Sequence, residues 1–181
     1  MSAIVVYESI YGNTRAVAEA IAEGLGGALV LSVNDAAPKL ESADLTVVGG
    51  PTHMHGLASS RSRRMAVEAA NEDGGTVVEP GAADGPGLRA WLRELRVGDG
   101  AYAASFDTRL DKPPALTGVA ARGIARRLRH RGFVLLGSES FLVQDAEGPL
   151  EQGELERARE WGTRLAGEIR ARGGAVAKVA Q

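Results

Sequence analysis

Apolar residues fall into short runs along the chain: Ala3 to Tyr7, Ala28 to Val33, Leu45 to Val48, Ala101 to Phe106 and Phe133 to Leu136. Runs of this length read as strands buried on both faces, the pattern of a parallel sheet. Between them the apolar spacing changes to three and four. Val17, Ile21 and Leu25 form one stripe that stops at Gly26-Gly27, and Ala120, Ile124 and Leu128 form another inside a helix predicted from Leu116 to Arg131. A last helix puts Leu155, Ala158, Gly162, Leu165 and Ile169 on one face. Its start is acidic (Glu151, Glu154, Glu156) and its end basic (Arg164, Arg170, Arg172), which suits the helix dipole. Strands alternating with helices imply right-handed crossovers and a doubly wound α/β sheet with helices on both faces. The stretch NEDGGTVVEPGAADGPG, residues 71–87, breaks the pattern and predicts a surface loop between helices Arg61 to Ala70 and Leu88 to Leu95.

A length of 181 residues predicts one domain, 1–181, with residues 71–87 as a surface insertion. A composition 44% hydrophobic and 24% charged, with a net charge of -2, excludes a disordered or collagen-like chain. The absence of cysteine removes disulfides, thiolate metal sites and thiol nucleophiles, and with them the cysteine-dependent phosphatases. No basic start followed by a long apolar core, and no run near 18 apolar residues, predicts a cytoplasmic protein with no membrane partner. The basic stretch RRLRHR at residues 126–131 has no interleaved aromatic residues, so no nucleic-acid partner is predicted.

The chemistry is concentrated where the first strand meets the first helix. In SIYGNT, Ser9, Ile10, Tyr11, Gly12, Asn13 and Thr14 join the strand to a helix predicted to begin at about Arg15. The first N–H groups of a helix have no internal partner and, with the dipole, attract an anion. Ser9 and Thr14 add hydroxyls, Asn13 an amide, and Gly12 lets backbone approach a phosphate closely. No Gly-Lys-Ser/Thr follows, which argues against nucleotide hydrolysis, and no G-x-G-x-x-G is present, which argues against a dinucleotide turn. The alternative is that these residues only cap the helix.

SIYGNT resembles the phosphate-binding loop of the flavodoxin family, a Ser/Thr-x-Ser/Thr-Gly-x-Thr pattern after the first strand. LTVVGGPTHMHG is similar to the family's third strand and first flavin-ring loop, and AYAASFDTR to its fourth strand and second ring loop. The resemblance implies a flavodoxin-like five-stranded parallel sheet of order 2-1-3-4-5, with FMN at the carboxyl ends of the strands. Beyond Ser9 to Thr14, it implies cofactor contacts at Pro51, Thr52, His53, Met54, His55 and Gly56 and at Phe106, Asp107, Thr108 and Arg109. Tyr11 stands where many members have a small hydroxyl residue, and neither ring loop carries the usual Trp or Tyr. Carrier flavodoxins are strongly acidic, whereas this chain is near neutral, with Arg61, Arg63, Arg64 and Arg109 near the expected cofactor face.

His53 and His55 are spaced to share one face of an extended segment, but with His130 the only other histidine, a metal would need a carboxylate ligand. No metal site is predicted. His53 or Met54 lying against a flavin ring competes with two histidines that touch only water. The SRSRR stretch at residues 60–64 reads as a solvated helix face or an anion-attracting patch. Asp107 and Arg109 either reach the ring's pyrimidine end or only fix their loop. No Ser/His/Asp triad and no paired carboxylates stand out, so no catalytic residue is named. Three functions stay open: an FMN-binding electron-transfer protein; an FMN-dependent NAD(P)H:quinone-type reductase; and a flavin-free interaction domain. The first two require a redox partner protein or a small electron acceptor.

Overall fold

The computed structural model describes residues 2–37, 43–53, 56–73, 77–96 and 101–179. Strand β1 (Ala3–Tyr7) leads into helix α1 (Asn13–Gly24), followed by β2 (Leu29–Ser32), β3 (Leu45–His53) and the two-residue β4 (Gly56–Leu57). Helices α2 (Ser60–Asp73) and α3 (Gly87–Glu94) precede β5 (Tyr102–Leu110). The chain continues through α4 (Pro114–Thr117), α5 (Ala120–His130), β6 (Val134–Val143) and α6 (Glu154–Val179).

The sheet runs in the order β2-β1-β3-β5-β6, every neighbouring pair parallel, with β4 folded back antiparallel on β3. Setting β4 aside, this is the 2-1-3-4-5 order expected from the sequence. Side chains alternate along each strand, so successive residues pack on opposite faces. Val5, Tyr7, Val47, Ala104 and Phe106 join Val17, Ile21, Leu165 and Ile169 in a core against α1 and α6. Val6, Val48 and Ala103 join Leu88, Trp91, Leu92, Ile124 and Leu128 in a second core against α3 and α5. Helices α1 and α6 touch through glycines: a methyl at Gly24 would meet the Arg159 carbonyl, and one at Gly162 the Ile21 carbonyl.

Several boundaries differ from the sequence reading. Strands β3 and β5 run on to His53 and Leu110, past the ends of their apolar runs. The register pairs Pro51 with Thr108, so polar residues continue the ladder that apolar ones began. The helix predicted from Leu116 to Arg131 is split at Gly118, where φ is 73°. Helix α1 starts two residues before Arg15, at Asn13.

Candidate functional site

In open parallel sheets the crevice at the carboxyl ends of the strands, where the strand order reverses, is where ligands bind. Here that point lies between β1 and β3, and a cavity of about 220 Å³ opens there. Its walls are Ser9, Ile10, Tyr11, Asn13 and Thr14 from the first loop, Pro51, Thr52 and His53 from β3, and Thr108, Arg109 and Leu110 from β5. Val143 and Ala146, from the end of β6 and the turn after it, close another side. Ten of the residues singled out from sequence therefore share one cavity.

The first loop gathers hydrogen-bond donors at the start of α1. Gly12 takes φ 89°, a left-handed conformation that a side chain would strain, and places the free N–H groups of α1 at the loop. Ser9 Oγ accepts from the Gly12 N–H at 3.2 Å, which leaves its own O–H proton to donate. The buried hydroxyls of Thr14 and Thr108 lie 2.7 Å apart. One proton serves their mutual bond, so the other is available to a ligand. Asn13 and Tyr11 serve the scaffold instead. Asn13 donates its amide to the Gly148 carbonyl at 2.7 Å, and the Tyr11 hydroxyl donates to the Ala66 carbonyl at 3.2 Å. The Asn13 bond ties the turn after β6 across the first loop. That turn is closed by Gln144 N–H to Pro149 O and Glu151 N–H to Leu142 O.

The ring-loop expectations need correction at two residues. Phe106 is fully buried, its ring seated over Gly49, where any side chain would collide with it, and edge-on to Phe141 at 6.2 Å. It belongs to the core and not to the cavity, because in a strand it must share the inward face with Ala104. Asp107 points to the opposite face and is also fully buried. Its Oδ2 accepts from Thr52 Oγ1 at 2.7 Å and from the Ala121 N–H at 2.9 Å, while Thr52 Oγ1 accepts from the Ala120 N–H at 2.9 Å. Asp107 and Thr52 thus cap α5 from neighbouring strands, and the carboxylate sits at the positive end of that helix. Met54 and His55 lie outside the described residues, and Gly56 pairs with His53 in the β3–β4 hairpin.

His53 and Arg109 remain on the cavity wall. Burial pushes the His53 imidazole below its usual value, so it is neutral at pH 7. Arg109 Nη1 donates to the Leu110 and Lys112 carbonyls at 3.0 and 2.8 Å. No cluster of metal-ligating side chains occurs among the described residues.

Next to the cavity is a feature the sequence reading missed. Glu8, the first residue after β1, is buried and accepts the Leu88 N–H at 2.6 Å. Burial raises its carboxyl above the usual range, opposed by that hydrogen bond and by Arg63. Arg63 Nε lies 4.0 Å from Glu8 Oε2, and Nη1 and Nη2 donate to the Asp84 and Gly85 carbonyls at 3.0 and 3.1 Å. Arg63 is therefore an internal clamp and neither a solvated cation nor an anion-attracting one, although Arg61 and Arg64 are exposed as expected. Part of the predicted 71–87 loop is held as well: the Glu79 N–H donates to the Ile10 carbonyl at 2.8 Å. An acidic residue ending an apolar strand was the available signal.

A flavodoxin-domain model matches residues 4–62, which span β1, the first loop and the β3–β4 hairpin. No curated protein matches the chain by sequence. Among solved structures, a flavodoxin from the domain Archaea is 20% identical with a TM-score of 0.58, over 94% of this chain and 99% of that one. A flavodoxin, WrbA-like protein from Agrobacterium tumefaciens is 22% identical with a TM-score of 0.55, over 94% and 98%. Oxidised Flavodoxin 1 from Bacillus cereus is 18% identical with a TM-score of 0.58, over 90% and 95%. Sheet order, the matched N-terminal segment and these neighbours agree: the chain is flavodoxin-like, with the flavodoxin fold throughout and the flavodoxin-domain pattern over residues 4–62.

Proposed function

We propose that the chain binds FMN at the carboxyl end of its sheet and serves in electron transfer. One observation carries this reading: an anion seat and the ends of β3 and β5 open on a single cavity, so a molecule with a phosphate at one end and a flat ring at the other has a place for both. The donor set suits a phosphate monoester. Helix N–H groups, the Ser9 hydroxyl and the Thr14–Thr108 pair would hold it, with Pro51, Thr52, His53, Leu110 and Val143 enclosing the ring. FMN, when bound, supplies the redox chemistry. The protein would position it, beside the turn that Asn13 ties down.

Titration with FMN, with riboflavin as the partner lacking phosphate, tests this by flavin fluorescence and visible absorption. Saturable binding of FMN and not of riboflavin is the expected result. Binding of neither refutes the reading and leaves an interaction domain on the same scaffold.

A second reading, reduction of a quinone-type acceptor by NADH or NADPH, uses the same cavity. It is favoured by Arg109, the one formal charge among the described residues of the lining, which attracts an anionic reactant. Turnover of a soluble quinone by the FMN-loaded protein selects it over a carrier that needs a redox partner protein.

A further inference from the structure

Arg109 is held by one nitrogen and has a second edge to offer. Both recorded bonds come from Nη1, to the Leu110 and Lys112 carbonyls, and they fix the plane of the guanidinium on the cavity wall. The other edge of the fork, Nε and Nη2, has no acceptor among the described residues, and Nε is buried. A charged donor left unpaired inside a protein is unfavourable, so this edge gains from an acceptor brought by a ligand.

Among the described residues the cavity wall itself carries a single formal charge, while the Glu147 carboxylate acts on Tyr11 from the turn beside Ala146. The titratable groups lining the cavity are Tyr11, His53 and Arg109, with no carboxylate among them. Tyr11 is pushed further toward its neutral form by burial and by the nearby Glu147 carboxylate, and His53 is neutral because it is buried. Arg109 is therefore the one formal charge on the lining.

On the reading that the cavity holds FMN with its phosphate at α1, we propose that the Nε–Nη2 fork of Arg109 binds the N1–C2=O edge of the flavin and sets its redox preference. That edge presents two neighbouring acceptors, which match a guanidinium fork as a carboxylate does. Adding two electrons and one proton to the neutral oxidised ring gives an anion, whose charge is concentrated on this edge. The fork binds the anionic ring more tightly than the oxidised one. This pocket thus favours the fully reduced flavin, the state a two-electron reductase uses.

The test compares the wild type with Arg109→Gln and Arg109→Lys, using dithionite as reductant. FMN affinity is measured in the oxidised form by fluorescence. The two-electron midpoint is measured by spectroelectrochemistry, which yields the affinity of the reduced form by difference. The expected result is that R109Q loses at least about tenfold of the preference for reduced over oxidised FMN, a midpoint fall of about 30 mV for each tenfold. R109K, which keeps the charge, stays within a few-fold of the wild type. Equal weakening of both forms, with an unchanged midpoint, overturns the proposal and makes Arg109 only an anchor for residues 110–112. Failure of the wild type to bind FMN refutes the cofactor reading itself, and that is seen before any variant is compared.

Discussion

Replacing Arg63 by methionine removes a cation that the fold encloses almost completely, its side chain being 2% exposed beside a Glu8 side chain that is 3% exposed. At the 4.0 Å separation of Nε and Oε2, the attraction is about 4 kcal/mol for an effective dielectric near 20. Two carbonyl acceptors, Asp84 and Gly85, lose their donors as well. Against this, methionine fills part of the space, and Glu8 can take up a proton to avoid an unpaired buried charge. Breaking a buried pair from one side is destabilising by roughly 3–5 kcal/mol, and we expect Arg63→Met to fall in that range. Urea unfolding at neutral pH, followed by the fluorescence of the buried Trp91 and Trp161, measures it. The double variant Glu8→Gln/Arg63→Met strands no charge and keeps an acceptor for the Leu88 N–H, so it should regain at least about 1 kcal/mol over the single variant.

The deficit also depends on pH. Glu8 binds its proton more tightly in the folded than in the unfolded chain, and more so without Arg63. The folded chain then carries more protons, so its stability falls as pH rises above the ordinary carboxyl value of 4.5 and through the raised one. Arg63→Met should accordingly be nearer to wild type at about pH 5 than at about pH 8. A single variant within about 1 kcal/mol of wild type, or a double variant equal to the sum of the singles, would refute the argument that this pair carries the turn leading into α3.

Three further outcomes follow from the same geometry. Gly162→Ala drives a methyl into the Ile21 carbonyl, and we expect a loss of about 1–3 kcal/mol in chemical denaturation; an unchanged midpoint would mean that α1 and α6 separate freely. Thr14→Val leaves the buried Thr108 hydroxyl without its partner and removes a ligand donor, so it should destabilise by about 1–2 kcal/mol and weaken FMN binding by about tenfold or more, read by unfolding and flavin titration. Because His53 takes up a proton less readily folded than unfolded, its contribution is present above pH 6.5 and lost as pH falls through the lowered value. Thermal midpoints of His53→Gln should therefore fall less than those of wild type between about pH 7.5 and 5.5, and parallel curves would show that His53 is not desolvated.

What the sequence by itself determined is what local chemistry controls. Short apolar runs marked strands sandwiched between helices, as Val5, Val47 and Ala104 show on one face and Val6, Val48 and Ala103 on the other. SIYGNT marked the glycine turn into α1 because a left-handed glycine and a helix start are properties of a few consecutive residues. Tertiary structure alone decided which side chains face the cavity. Strands β3 and β5 continue through Pro51 and Thr108 because each pairs with the other, and an extended backbone then sends Phe106 to the core, Asp107 to the start of α5 and Arg109 to the cavity wall. Asn13 is taken up by Gly148 and Glu8 is partnered by Arg63 and the Leu88 N–H, in each case by a group distant along the chain. Burial and pairing are settled by whatever the fold brings alongside, and so the most chemically telling contacts of this site were the least legible in one dimension.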